Sequence, residues 1–76
     1  MTIESSTVVE LVAAQLGAAS VSEGDRIVED LGAESMDIVN IIAAVEERYA
    51  IRIDEAVLPD IVTVGDLVAL ARRLTS

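Results

Sequence analysis

The chain between Asp30 and Tyr49 reads DLGAESMDIVNIIAAVEERY, a turn followed by a periodic apolar segment. Gly32 predicts the turn, because glycine adopts backbone angles that are closed to other residues. From Ser35 onward, apolar residues recur at three- and four-residue intervals, which predicts a helix over residues 35–49 with Ser35 at its start, facing water. The core-facing stripe of this helix consists of Ile38, Ile41, Ile42, Val45 and Tyr49.

A second apolar line runs along the opposite side of the same helix and is formed by Met36, Val39 and Ala43. A surface helix needs only one apolar face, so either this helix is buried on two sides or the second line is a docking surface. So short a chain leaves little to cover a second face, which favours docking. We therefore predict a partner-docking surface beside Ser35 that comprises Glu34, Met36, Asp37, Val39, Asn40, Ala43, Glu46 and Glu47.

A first helix is expected to precede this segment and to end at about Leu16, with Gly17 as its stop. Its start falls between Thr2 and Thr7, where several signals compete. Thr2 is one candidate cap, and Thr7 with Glu10 fits a capping box.

Two further elements follow the central helix. Residues 54–58 allow one helical turn, which we expect Pro59 to end. A last helix begins after Thr63, because Thr63 and Asp66 fit a capping box. The sequence therefore predicts an all-α fold, a small four-helix bundle with three main helices and one short helix, in which residues 1–76 form one domain.

The composition excludes several classes of function. The net charge is −9, with 14 acidic and 5 basic residues, which argues against binding to nucleic acid or to anionic membranes and favours partners with basic patches. The sequence contains no cysteine and no histidine, so any thiol must come from a prosthetic group and the commonest general base is missing. No segment is apolar enough to span a bilayer or to act as a secretion signal, so a cytoplasmic protein is expected.

Catalytic and metal sites are not predicted either. Ser35 does not lie in a Gly-x-Ser-x-Gly motif, and no histidine is present to activate it. The acids at 25, 29 and 30 lack the spacing of a calcium-binding loop. Adjacent side chains on a helix diverge, so Glu46 and Glu47 are not a catalytic carboxylate pair. Taken by itself, Ser35 is better explained as a simple helix N-cap.

The segment DLGAESMD at residues 30–37 resembles the DLGADSLD signature of acyl carrier proteins. The similarity continues through VEERY at residues 45–49, IRID at residues 51–54 and TVGDL at residues 63–67. It thus covers nearly the whole chain and implies the small four-helix bundle of the acyl carrier protein family.

The resemblance implies that Ser35 is the attachment point of a 4′-phosphopantetheine arm, moved there from coenzyme A by a phosphopantetheinyl transferase. The arm's thiol would hold an acyl or aminoacyl group as a thioester. The chain itself would perform no catalysis. It would act as a monomer that presents the cargo to an acyltransferase, an adenylating enzyme or a ketosynthase with a basic docking patch.

Two positions depart from the fatty-acid-type members of the family. Asn40 and Arg48 stand where those proteins usually carry acids, so the second helix is less acidic than the general pattern. We therefore expect a discrete carrier in a dedicated pathway, for a polyketide, fatty-acid-like or aminoacyl cargo. The alternative is an unmodified acidic helical module that only binds proteins.

Overall fold

The computed structural model of the protein describes residues 2–75, and Met1 and Ser76, the ends of the predicted domain, lie outside the described residues. Helix α1 spans Ser5–Leu16, α2 spans Ser35–Tyr49, a 3₁₀ helix spans Glu55–Asp60 and α3 spans Val64–Thr75. Residues 2–75 contain no strand, only one isolated backbone bridge between Arg26 and Thr63. The predicted all-α fold with three main helices and one short helix is confirmed.

Helix α1 begins at Ser5, inside the predicted interval, but without either predicted cap. Glu4 precedes it in an extended conformation, and its carbonyl oxygen accepts the N–H of Thr7 at 3.1 Å. Ile3 and Val8 are both buried, so the packing of these side chains decides where the helix begins and outweighs a weak capping signal. The predicted stop is confirmed, since Gly17 adopts a φ of 64°.

The short helix differs from its prediction. It runs from Glu55 to Asp60 and contains Pro59, so the expectation that Pro59 ends the turn is wrong. Proline's fixed φ suits a 3₁₀ turn, and the turn closes beyond it through the Ile61 N–H and the Leu58 carbonyl oxygen at 3.1 Å. The side chain of Asp54 caps the helix by accepting the N–H of Ala56 at 2.9 Å.

The start of α3 is the capping box that the sequence predicts. The Asp66 N–H donates to Thr63 Oγ1 at 3.1 Å, and the Thr63 N–H donates to Asp66 Oδ2 at 3.0 Å. The N–H of Val62 also donates to Asp66 Oδ2, at 3.0 Å. Three N–H groups around the helix start are thereby satisfied by two side chains.

The core is aliphatic except for one tyrosine ring. Within residues 2–75, no polar or charged residue is buried. The hydroxyl oxygen of the buried Tyr49 is enclosed and has no hydrogen-bond partner within residues 2–75. The predicted inner stripe of α2 is confirmed, with Ile38 half-buried and the other four members buried. The buried residues are Ile3, Val8, Val12, Ile27, Ala33, Ile41, Ile42, Val45, Tyr49, Ile53, Val64, Leu67, Val68, Leu70 and Ala71.

The long connection between α1 and α2 is attached to the start of α3 by backbone hydrogen bonds. The Ile27 N–H donates to the Val62 carbonyl oxygen at 2.9 Å, and the Val64 N–H donates to the Asp25 carbonyl oxygen at 3.1 Å. The Gly65 N–H donates to a second carbonyl oxygen of the connection, that of Glu23, at 2.8 Å. A side chain at Gly65 would lie 3.3 Å from that carbonyl oxygen, so this close approach favours glycine.

No helix among residues 2–75 combines the length and the apolarity that crossing a lipid bilayer requires.

The capping box yields a first prediction. Asp66→Ala should lower the free energy of unfolding by about 1 kcal/mol, because it removes the acceptor for two backbone N–H groups at the α3 start. Asp60→Ala is the matched control: it removes the same charge from an exposed site without a hydrogen bond to lose. Urea unfolding of both variants measures the difference, and equal stabilities would contradict the capping role.

The stabilisation by Asp66 should also depend on pH. The backbone N–H groups of Thr63 and Val62 hold the pKa of Asp66 below its ordinary value of 3.8. A carboxyl group with a lowered pKa in the folded state stabilises the fold above its ordinary pKa, and this contribution is lost as the pH falls through the lowered value. The stability difference between the wild type and Asp66→Ala should therefore be complete near neutral pH and shrink below pH 3.8.

A second prediction concerns the enclosed hydroxyl of Tyr49. Tyr49→Phe removes a buried polar atom that has no partner, so the melting temperature should stay equal or rise. Tyr49→Ala should instead cost about 3–5 kcal/mol, because it leaves a cavity in the core. Calorimetry on both variants checks this, and a clear fall in the melting temperature of Tyr49→Phe would show that the hydroxyl group has a stabilising contact.

Candidate functional site

A tight turn brings the chain from the core to the start of α2. The carbonyl oxygen of Arg26 accepts the N–H of Asp30 at 2.8 Å and that of Leu31 at 3.1 Å. The N–H of Gly32 donates to the Val28 carbonyl oxygen at 3.0 Å, and Gly32 takes a φ of 70°, as its prediction as a turn residue requires. The turn therefore ends in a fixed direction, immediately before α2.

The side chain of Arg26 holds this turn from outside. Its guanidinium group donates to both carboxylate oxygens of Asp30, at 3.2 Å each, and forms an ion pair with Glu29. The Arg26 N–H also donates to Asp30 Oδ2, at 2.8 Å. The hydrogen bond from the Arg26 side chain, followed by that from its N–H, lowers the pKa of Asp30. This cluster was not predicted from the sequence, although the four-residue spacing of Arg26 and Asp30 is the signal that predicts such a pair.

Ser35 is the first residue of α2, and it is exposed. The residue before it, Glu34, is the N-cap, and the Glu34 N–H donates to Asp37 Oδ2 at 2.9 Å. The Ser35 hydroxyl group makes no hydrogen bond with any group of residues 2–75. The alternative in which Ser35 merely caps the helix is therefore wrong, because capping falls to Glu34 and Asp37 and leaves the Ser35 hydroxyl group open to solvent.

Most of the predicted docking residues lie on the water-facing side of α2 or at its start. Met36 is 66% exposed and Val39 is 53% exposed, so the second apolar line is not covered by the rest of the chain. The other exposed members are Glu34, Asn40, Ala43 and Glu47.

Two of the predicted docking acids accept hydrogen bonds from backbone N–H groups of the fold. Asp37 is half-buried and accepts the N–H of Glu34, as described above. Glu46 is half-buried as well, and its Oε2 accepts the N–H of Ile53 at 2.8 Å. This bond joins α2 to the segment that leads into the 3₁₀ helix. Spacing could not reveal it, because the acceptor and the donor belong to different elements.

The exposed apolar surface extends beyond α2. Val28, which follows the buried Ile27, is 58% exposed. It lines an open groove of about 280 Å³ together with Ile38, Leu58 and Val62. Ile38 lies one turn after Ser35, so apolar surface adjoins the α2 start on this side too.

A third prediction separates the two neighbouring acids of α2. Glu46→Ala should lower the free energy of unfolding by about 1–2 kcal/mol, because it leaves the Ile53 N–H without its charged acceptor. Glu47→Ala removes the same charge from an exposed position and should leave stability almost unchanged. Urea unfolding gives the stabilities, and amide exchange at Ile53 locates the loss. Equal effects of the two variants would show that the Glu46 bond does not stabilise the fold.

Comparisons with known proteins agree with this architecture. The sequence model of the family described as "Phosphopantetheine attachment site" matches residues 6–71. A protein of Thermotoga maritima named acyl carrier protein is 35% identical over 70 residues, which cover 90% of this chain and 86% of that protein. An acyl carrier protein of Helicobacter pylori is 42% identical over 60 residues, covering 76% and 77% of the two chains. One of Sulfurovum is 41% identical over 61 residues, covering 78% and 81%.

The fold, the exposed serine at the α2 start and these matches define a carrier domain that takes a phosphopantetheine group. The chain belongs to the acyl carrier protein family. It is accordingly a carrier and not a catalyst, and its prosthetic group is a covalently attached 4′-phosphopantetheine. Membership of the family also implies contact with a phosphopantetheinyl transferase and with biosynthetic enzymes.

Proposed function

We propose that Ser35 is the residue that carries the 4′-phosphopantetheine group. The observation that supports this most directly is the state of its hydroxyl group, which is exposed and makes no hydrogen bond within residues 2–75. A serine that served the fold would use its oxygen for a cap or a turn. The motif around Ser35 adds support, since it matches the family signature residue for residue except at Glu34 and Met36.

The position of Ser35 suits a phosphodiester. The first N–H groups of a helix lack intrahelical partners and the helix dipole is positive there, so a negative group on Ser35 is stabilised at the α2 start. The nearby carboxylate of Asp37 already accepts the N–H of Glu34, which offsets part of its repulsion. The residues present therefore fit the prosthetic group.

The attachment reaction needs a base from outside the chain. The Ser35 hydroxyl oxygen forms a bond to the pantetheine-side phosphorus of coenzyme A, and the pyrophosphate bond to the nucleotide breaks. The serine proton must go to a base, but this chain contains no histidine, and residues 2–75 offer Ser35 no hydrogen-bond partner. The transferase therefore supplies the base. Once bound, the group supplies the thiol that the chain lacks and holds the cargo as a thioester.

Partner enzymes dock on the exposed side of α2 in this proposal. Met36, Val39 and Ala43 give a small apolar contact surface that water now covers. Glu34 and Glu47 supply exposed negative charge near this surface, which accelerates the approach of enzymes with basic patches. A carrier that serves several enzymes in turn needs modest affinity, and a small contact surface with exposed charges provides it.

The pathway we propose is a dedicated one rather than housekeeping fatty-acid synthesis. Asn40 and Arg48 are both exposed, so the surface of α2 is less acidic than in fatty-acid-type relatives. A polyketide, fatty-acid-like or aminoacyl cargo is consistent with this surface. We further propose that residues 1–76 act as one discrete carrier domain.

The competing function is an unmodified module that binds proteins through the same face of α2. It requires only the apolar line and the acids, and it makes no use of Ser35. The open hydroxyl group of Ser35 favours the carrier.

A fourth prediction tests the attachment site. The purified chain, incubated with coenzyme A and a broad-specificity phosphopantetheinyl transferase, should gain the mass of one phosphopantetheine, and Ser35→Ala should gain none. Ser5→Ala is the matched control, since Ser5 is likewise the first residue of a helix. Intact-mass spectrometry gives the result.

The control must gain the group as the wild type does. A folded wild-type chain that gains no mass would contradict the carrier function and favour the unmodified module. Modification that persists in Ser35→Ala would move the attachment to another residue.

A further inference from the structure

An open groove of about 660 Å³ lies between α2 and the segment that leads into the 3₁₀ helix. Its apolar lining includes Val39 and Ala43, from the exposed line of α2, and Leu58, from the opposite wall. The groove is therefore continuous with the docking face described above. It is large enough to admit an apolar side chain of a partner.

The charged residues that line this groove are of both signs. Glu47 and Glu55 contribute carboxylates, and Arg52 contributes a guanidinium group. A further carboxylate, that of Glu46, also lines the groove, but its Oε2 is turned toward the N–H of Ile53. All three of Glu47, Arg52 and Glu55 are exposed.

Arg52 is unpaired, and this sets it apart from most basic residues of the chain. Arg26 pairs with two carboxylates, Arg72 donates to the carbonyl oxygen of Ile3 at 3.2 and 3.3 Å, and Arg73 also has a partner. Within residues 2–75, only Arg48 and Arg52 have no ion pair or side-chain hydrogen bond. Arg52 stays unpaired although the net charge of the protein is −9 and two carboxylates line the same groove. Its guanidinium group is therefore available to a ligand.

We propose that Arg52 is a specificity determinant of the docking face, and that the groove takes a partner surface of mixed charge. This inference rests on the proposed function. The partner would insert an aliphatic side chain between Val39 and Leu58, with a basic residue against Glu47 and a carboxylate against Arg52. A partner whose patch is basic throughout would place a like charge against Arg52, which lowers its affinity. The face would thus discriminate among carrier-binding enzymes and not attract every basic one.

Two helical peptides of about 15 residues provide the probe. Both carry the same leucine stripe; one is flanked by lysine on both sides, and the other by lysine on one side and glutamate on the other. Each is titrated into the ¹⁵N-labelled full-length chain at about 0.15 M salt, so that long-range attraction is screened. Amide chemical shifts report both the dissociation constant and the place of binding.

The measured quantity is the ratio of the two dissociation constants, compared between Arg52→Glu and Arg48→Glu. Both variants change the net charge equally, and Arg48 is also unpaired, but it does not line the groove and lies at a neighbouring depression with Leu11, Ala44 and Glu47. Long-range attraction therefore cancels in the comparison. Glu47 faces a lysine in both peptides, so an effect of Arg48→Glu on Glu47 cancels in the ratio. Arg52→Glu should change this ratio by roughly three- to tenfold in favour of binding the all-lysine peptide, the range expected when an exposed charge pair changes sign. Arg48→Glu should leave the ratio within about twofold of the wild type.

Support also requires that the shifts fall on the groove residues, including Val39, Ala43 and Leu58. Equal ratios for the two variants, shifts elsewhere on the surface, or no binding by either peptide would overturn the proposal. If the amide shifts of the groove residues change only after phosphopantetheine has been attached to Ser35, the groove binds the arm or its cargo. That result would also overturn the proposal. Loading of Ser35 is scored separately by intact mass, so failure of the carrier function is distinguishable from failure of this inference.

Discussion

The structure depends on the backbone bonds that attach the α1–α2 connection to the start of α3. Residues 17–34 form no α-helix, so their buried polar groups need partners elsewhere. The bonds from Ile27 to Val62 and from Val64 to Asp25 provide them, at 2.9 and 3.1 Å, and leave Ile27 buried beneath. The turn that leads to Ser35 begins at this anchored point. Without these bonds, the position of the α2 start relative to α3 would not be fixed through the connection.

The two sides of helix α2 differ in burial. Its inner side, from Ile41 to Tyr49, is buried, and its outer side keeps apolar residues in water. Two of its acids serve the fold, since Asp37 closes the helix start and Glu46 holds the next segment. Glu47 makes no such bond within residues 2–75 and is exposed, as its proposed docking role requires. An acidic helix surface is therefore not one uniform docking patch, because part of its charge is already engaged in backbone bonds.

The sequence was sufficient to predict what depends on periodicity and local spacing. The bounds of α2 and the capping box at Thr63 and Asp66 are of this kind, and both are confirmed. The role of Glu46 and the exposure of Val28 depend on which segments meet in space, and spacing alone does not encode that. The start of α1 falls inside its predicted interval, but both predicted caps were wrong for a similar reason, because packing of Ile3 decides where the helix begins. Ser35 was predicted from its motif as the attachment point, but only the fold shows that capping does not use its hydroxyl group.

Amide hydrogen exchange of the full-length chain tests the anchored connection most directly. Val64 and Gly65 lie in the first turn of α3, where N–H groups lack intrahelical partners and normally exchange fast. If the connection is anchored as described, these two amides and that of Ile27 exchange as slowly as the amide of the buried Val68. Exchange as fast as that of the exposed Ala19 would show that the connection is loose, and would contradict the account of how Ser35 is positioned.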